Sequence, residues 1–80
     1  MPAMRAKFKI VEILNYQGSQ LLVFNAVCKD GGYPADGTDD DNTYARFTPS
    51  GYLALTVNNP ALLGKFQVGE KYYLDFEKAE

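Results

Sequence analysis

Histidine and tryptophan are absent from this sequence, and cysteine occurs once, at Cys28. Without histidine, the Ser-His-Asp and Cys-His arrangements have no base, and histidine metal sites have no ligand. A single cysteine excludes an intramolecular disulfide and a four-cysteine zinc site, and it fits a reducing compartment. Because Cys28 lies inside a predicted apolar strand, we expect its thiol to be a small core residue. These absences argue against an enzyme, so we expect no catalytic residue and no cofactor.

Long apolar runs are also missing. No segment approaches the roughly 20 apolar residues of a membrane helix, and the first residues lack the apolar centre of a signal peptide. We therefore expect no membrane partner. A chain of 80 residues has barely enough core for one domain, because small domains bury a small fraction of their surface. The sequence predicts a single β domain over residues 1–80, with a flexible start over 1–5.

Charge is unevenly distributed. The formal net charge is −2, yet all the charged residues between 30 and 42 are aspartates, so the rest of the chain is mildly basic. Residues 30–42 also contain three glycines and a proline, which rules out a regular helix or strand. We expect an acidic loop there, and loops of this length are often functional or mobile.

Alternation of polar and apolar residues predicts strands. The sequence predicts five strands, separated by turn residues: 6–15, 20–29, 43–48, 52–58 and 71–77. In the first, the alternation changes phase near Ile10–Val11, which predicts a β-bulge. A twisted strand covered on both faces is the alternative. The second segment is apolar on both faces, as expected of a central strand covered twice or of one whose outer face meets another protein.

The end of the chain combines several signals. Asn59 is a good helix N-cap, Pro60 suits a first helical position, and Gly64 is a stop, so residues 60–63 should form one helical turn. Leu62 or Leu63 would then plug one end of a barrel. If the last strand lies beside the first, Asp75 and Glu77 would face Lys7 and Lys9 and close the sheet. The predicted fold is all-β with one short helical turn: a small five-stranded antiparallel barrel or curled sheet, OB-like or SH3-like.

Two surfaces are candidates for binding. Basic and aromatic residues of the predicted strands fit a groove for single-stranded nucleic acid, in which bases stack on aromatic rings and cations follow phosphates. These residues are Arg5, Lys7, Lys9, Tyr44, Arg46 and Tyr52. The alternative is that the tyrosines are half-buried packing residues, as β propensity alone predicts. The negative net charge makes a nucleic-acid partner possible but not favoured.

The second candidate is a surface for a protein partner or for self-association. It comprises the outer face of the second strand and the aspartate run: Leu21, Val23, Asp39, Asp40 and Asp41. The aspartates could instead bind a hard cation such as Ca²⁺, although successive carboxylates do not follow the EF-hand spacing. A solvated loop held open by its own charge is a further reading. The sequence leaves these three alternatives open.

Several motifs resemble those of short, mostly uncharacterised proteins encoded by tailed bacteriophages. They are Met4-Arg5-Ala6-Lys7-Phe8-Lys9, Phe47-Thr48-Pro49-Ser50-Gly51, Asn59-Pro60-Ala61-Leu62-Leu63-Gly64-Lys65-Phe66 and Gly69-Glu70-Lys71-Tyr72-Tyr73-Leu74-Asp75-Phe76. The resemblance covers most of the chain except the acidic loop. It implies a phage source, a location in the host cytoplasm or the virion, and no catalytic residues. Together with the doubly apolar second strand and the lack of a chemical site, it predicts a non-enzymatic viral interaction module, a homo-oligomer or an accessory subunit of a phage particle or assembly that acts through protein-protein contacts. An inhibitor of a host defence factor is the alternative.

Overall fold

Four strands form one antiparallel sheet in the computed structural model, which describes residues 3–80. The strands are β1 (Met4–Tyr16), β2 (Ser19–Ala26), β3 (Tyr52–Val57) and β4 (Lys71–Phe76). Their order in the sheet is β3-β2-β1-β4, so β3 and β4 form opposite edges. The all-β prediction is confirmed. The predicted fifth strand and the barrel are not found, because the described residues form one open sheet.

The first strand is longer than predicted and contains the predicted bulge. The register between β1 and β2 shifts between Ile10 and Glu12, so Val11 is the extra residue. This shift places Ile13 opposite Leu22, on the same face as Ile10, and so the bulge restores the alternation. The strand begins at Met4 rather than at Ala6. Residues 1 and 2 of the predicted flexible start lie outside the described residues.

The last strand lies beside the first, as predicted, with Met4 opposite Phe76 and Lys9 opposite Lys71. The expected charge pairs differ, because Asp75 lies opposite Arg5 and not opposite either lysine. The pairing also does not close the sheet. Closure would need β4 to reach β3, and two strands separate them.

One face of the sheet carries the core. Its buried apolar residues come from β1 and β2: Ala6, Phe8, Ile10, Leu22 and Phe24. The connection from β3 to β4, residues 58–70, contributes Phe66, whose ring lies 5.9 Å from that of Tyr72. The molecule is only 16 Å along its shortest axis. A sheet this thinly covered leaves much of β3 and β4 exposed.

The predicted helical turn is wrong. Residues 60–64 form consecutive turns, with Leu62 N donating to Asn59 O at 2.9 Å. The Asn59 side chain does cap this segment, accepting from Ala61 N at 3.0 Å. Gly64 has φ +80, which ends the turn before a helix can propagate. Leu62 is 42% exposed, so it plugs nothing, and Phe66 is the residue that packs on the core.

The predicted strand at 43–48 is also wrong, because the chain turns there. Ala45 N donates to Asn42 O at 3.0 Å, and Phe47 has φ 60, a left-handed conformation that no strand contains. The prediction for Cys28 needs correction as well. The second strand ends at Ala26, two residues earlier, and the Cys28 side chain is exposed. Residues 27–51 therefore form one long connection between two neighbouring strands.

Candidate protein-interaction surface

The connection 27–51 docks on β1 where β2 has ended. Lys7 N donates to Asn42 Oδ1 at 2.8 Å, and Arg5 N donates to Thr43 Oγ1 at 2.8 Å. Thr43 N in turn donates to Arg5 O at 2.9 Å. Asn42 is fully buried, and its amide also donates to Val27 O. The connection thus satisfies main-chain groups that a strand end would otherwise leave unpaired.

Asp39 is a structural acceptor within this connection. Its side chain is 4% exposed, and its oxygens accept from Lys29 N, Asp41 N and Asn42 Nδ2. Burial opposes the charged form, but these hydrogen bonds outweigh it and lower the pKa of the carboxyl. Of the three consecutive aspartates, only Asp40 is exposed. The reading of this run as a solvated loop held open by its own charge does not fit this geometry.

Lys7 neutralises part of the acidic connection. Its side chain is buried, and Nζ lies 3.4 Å from Asp30 Oδ1 and 3.5 Å from Asp41 Oδ2. Burial lowers the pKa of Lys7, but the hydrogen bonds and charges of the two carboxylates outweigh that effect and raise it. Lys7 is therefore an internal counter-ion, and its ammonium group is not presented to a ligand.

Arg5 is likewise occupied. Its guanidinium donates twice to Asp75, from Nε at 2.7 Å and from Nη2 at 3.1 Å. It also lies over the ring of Tyr73, 4.5 Å from the centroid. The hydrogen bond from Arg5 lowers the pKa of Asp75. This pair fastens β4 to β1 on the face opposite the core.

The six residues of the predicted nucleic-acid groove are not assembled. Arg5, Lys7 and Lys9 share the face opposite the core, but Tyr44 packs against the core cluster. Arg46 donates twice to Asp36 O within the connection, at 3.2 and 2.8 Å. Tyr52 is 68% exposed on β3, the strand beyond β2 from β1. These six residues therefore do not form one cationic track lined with aromatic rings.

The predicted partner surface on β2 is also divided. Leu21 and Val23 do lie on the face opposite the core, but Val23 is buried and Leu21 is half-buried. Asp39 and Asp41 are held by the contacts described above, and Asp40 alone of the run faces solvent. These five residues do not form one accessible patch.

A different feature stands out near the start of β1, an open apolar depression of about 130 Å³ on the core face. Its lining comes from three strands and the connection: Met4, Ala6, Phe8, Tyr44, Gly51, Tyr52 and Phe76. Met4 and Phe76, which are partly exposed, lie opposite each other in neighbouring strands. The depression has an apolar floor and apolar edges, as sites that accept a partner's side chain do.

The depression contains one polar group of note. Tyr44 Oη is buried and has no hydrogen-bond partner among residues 3–80. Burial, and secondarily the charge of Asp39, raises the pKa of this phenol, so its proton is retained. A buried hydroxyl without a partner costs free energy.

Sequence reasoning did not find this depression. It depends on the pairing of Met4 with Phe76 and on the turn that brings Tyr44 to Gly51, which are contacts between distant parts of the chain. The glycine at position 51 is the one trace of the depression in the sequence. Any larger residue would be crowded there, because a Cβ would lie 3.0 Å from Phe8 Cζ and 3.4 Å from Tyr44 Oη.

Within residues 3–80, no three acidic or cysteine side chains are grouped so that they could hold a metal ion. The same part of the chain contains no helix long and apolar enough to cross a membrane.

The fold and the depression define the protein as an all-β chain with one open antiparallel sheet and an apolar recess at one corner. Comparison with protein-family models, curated proteins and solved structures finds no match to this chain.

Proposed function

We propose that this protein is a non-enzymatic interaction module that binds another protein through the apolar depression at the start of β1. The observation that carries the proposal is the apolar lining of the recess, which includes Tyr44, a residue whose buried hydroxyl has no hydrogen-bond partner among residues 3–80. An apolar side chain of the partner would fill the recess, and a neighbouring main-chain carbonyl would accept from Tyr44 Oη after the Tyr44 side chain turns to expose its buried hydroxyl. This combination of an apolar anchor and one hydrogen bond is typical of interaction hot spots.

The phage resemblance favours an accessory subunit of a phage particle or assembly as the biological setting. An inhibitor of a host defence factor would use the same recess with a different protein. The nucleic-acid alternative remains a prediction, but the ion pairs of Arg5 and Lys7 do not favour it, since phosphates would have to compete with carboxylates already in place.

The test is affinity capture from phage-infected cells, followed by binding measurements with the identified partner. Tyr44→Phe removes the hydroxyl and no hydrogen bond within residues 3–80, so the variant should be as stable as wild type or slightly more stable. Its affinity for the partner should fall about three- to tenfold, the value of one neutral hydrogen bond. Met4→Glu, which places a charge at the edge of the recess, should abolish binding.

Tyr16→Phe is the matched control. Tyr16 is 60% exposed at the far end of β1 and does not line the recess, so loss of its hydroxyl should leave binding unchanged. Wild-type affinity in both Tyr44→Phe and Met4→Glu would contradict the proposal.

A further inference from the structure

The free edge of β3 presents main-chain groups with no partner. Ala26 N donates to Gly51 O at 3.1 Å, so the main-chain groups of Gly51 point toward β2. Because this direction alternates along a strand, Leu53, Leu55 and Val57 also bond to β2. The N–H and C=O groups of Tyr52, Ala54 and Thr56 then point away from the sheet. Within residues 3–80, β3 has a neighbouring strand only on its β2 side, and no main-chain hydrogen bond outside the strand ladder involves these three residues.

The β3 edge carries none of the features that protect an exposed strand. Charged side chains, proline and bulges normally prevent edge strands from pairing with other chains. No charged residue lies between Arg46 and Lys65, and β3 contains neither a proline nor a recorded bulge. Tyr52, Ala54, Leu55 and Thr56 are all exposed.

The opposite edge of the sheet is different. β4 includes Lys71 and Asp75 and is followed by Glu77. Asp75 is held by Arg5, and Lys71 Nζ lies 3.7 Å from Asp30. One edge is thus protected by charge and the other is not. The unprotected edge requires a β-strand as its occupant, because only an extended chain satisfies alternate N–H and C=O groups in order.

The β3 side chains make a second copy of this chain the best-fitting strand. In an antiparallel pair, residues that lie opposite each other share a face. If Ala54 pairs with Ala54 of a second copy, Leu53 lies opposite Leu55, and Tyr52 lies opposite Thr56. The apolar face of one sheet then continues into the apolar face of the other. A shift by one residue would instead place leucines on the polar face.

We propose that the protein forms a two-fold dimer in which two β3 strands pair antiparallel about Ala54 and the two sheets become one of eight strands. All three outward-facing residues of each copy then form their main-chain hydrogen bonds, and Leu55, 48% exposed in the single chain, is covered. The uncharged edge also removes the repulsion that like charges would create across a two-fold axis. The dimer and the recess share one residue, Tyr52, which lines the recess and lies on the β3 edge, but the dimer does not involve Met4 or Tyr44.

Cysteine cross-linking tests the register. In a Cys28→Ser background, needed because Cys28 is exposed, Ala54→Cys places two thiols on residues about 5.5 Å apart between Cα atoms, within disulfide range. It should give a disulfide-linked dimer under mild oxidation. Thr56→Cys is the matched control, since the two Thr56 residues would lie roughly 13 Å apart along the strands and should not cross-link.

The oligomeric state of wild type and of edge variants tests whether β3 forms the dimer interface. Wild-type protein should be dimeric by light scattering and dissociate on dilution. Ala54→Pro removes an outward N–H without removing a bond to β2, and Thr56→Lys adds a charge at the edge, so both variants should be monomeric. If Ala54→Pro does not fold, Thr56→Lys decides. Tyr44→Phe should remain dimeric, which separates this result from the recess.

A wild-type monomer at every concentration would overturn the proposal. So would a dimer that survives Thr56→Lys, or cross-linking of Thr56→Cys equal to that of Ala54→Cys.

Discussion

Three polar side chains, two in the connection 27–51 and one in β1, explain why this connection is ordered despite its many aspartates. Asn42 bonds to β1, Asp39 accepts from three donors, and Lys7 supplies a positive charge between two carboxylates. Each contact joins residues that are apart in the sequence or that turn the chain sharply. The order of the connection therefore rests on a few specific hydrogen bonds and not on an apolar core of its own.

Gly37 provides a test at this scale. Its φ is +80, and a Cβ would lie 2.8 Å from the main-chain nitrogen of Phe47. Gly37→Ala should lower the free energy of unfolding by more than 2 kcal/mol, about 1–2 from the left-handed conformation and the rest from the clash. Gly31→Ala is the control, because Gly31 has φ +82 and open space around it; it should show only the conformational cost. Equal losses in urea unfolding would contradict the placement of Phe47 against Gly37.

At the scale of elements, the connection 58–70 crosses the core face, and Phe66 is its aromatic contact with the core. Phe66 packs on the core cluster and against Tyr72, which in turn contacts Phe24 at 6.5 Å between ring centroids. The two preceding leucines do not share this role equally, because Leu62 is 42% exposed and Leu63 is half-buried. The second half of the connection 58–70 is thus the part that packs on the core.

Truncation of Phe66 should therefore be costly. Phe66→Ala is expected to lower the free energy of unfolding by about 2–4 kcal/mol, somewhat below the value for a fully buried phenylalanine. Leu62→Ala should cost less than about 1 kcal/mol, as exposed substitutions usually do. Chemical denaturation followed by circular dichroism measures both. A larger loss for Leu62→Ala than for Phe66→Ala would revive the idea that a leucine closes the core.

The elements with local signals could be predicted from the sequence. The bulge at Val11, the positions of β1, β2, β3 and β4, and the pairing of β4 with β1 follow from alternation, glycine turns and complementary faces. A loop over residues 30–42 was also predicted, but the course of the two long connections, 27–51 and 58–70, could not be. Residues 43–48 alternate like a strand, yet the hydrogen bonds of Asn42 to Lys7 and Val27 fix a turn there.

The candidate surfaces were less predictable than the fold. Arg5 and Lys7 looked available for a ligand because their acidic partners, Asp75, Asp30 and Asp41, are distant in sequence. The recess around Tyr44 was missed for the same reason. A single sequence reveals which residue types are present, but which charges cancel depends on contacts that only the folded chain makes.

At the scale of the whole molecule, stability should depend on pH through two carboxylates at the acid end and one ammonium group at the alkaline end. The folded pKa values of Asp39 and Asp75 are lowered, so their contribution is present above the unfolded value near 3.9 and is lost as pH falls through the folded values. The pKa of Lys7 is raised in the folded protein. Its contribution to the free energy of unfolding is therefore present below about pH 10.4 and is lost as pH rises through the folded pKa. Stability should be highest between these limits.

Asp39→Asn tests how much the buried carboxylate contributes to the dependence of stability on pH. An amide keeps one acceptor oxygen where three donors converge, so the variant should lose about 1–3 kcal/mol at neutral pH and show a shallower decline below pH 4. Asp40→Asn, at an exposed position of the same run, should match wild type. Melting temperatures across a pH series measure the effect. An unchanged acid profile for Asp39→Asn would mean that another carboxylate controls it.

The two halves of β1 differ in how far away their partners are in the chain. The half from Glu12 to Tyr16 pairs with β2 across a two-residue hairpin turn, whereas Lys7 bonds to Asn42 and Arg5 to Asp75, 35 and 70 positions away. Loop closure is entropically cheaper for the hairpin. The chain should therefore fold from the hairpin outward, and the recess, whose walls join both ends of the chain, should be the last part to assemble and the first to open.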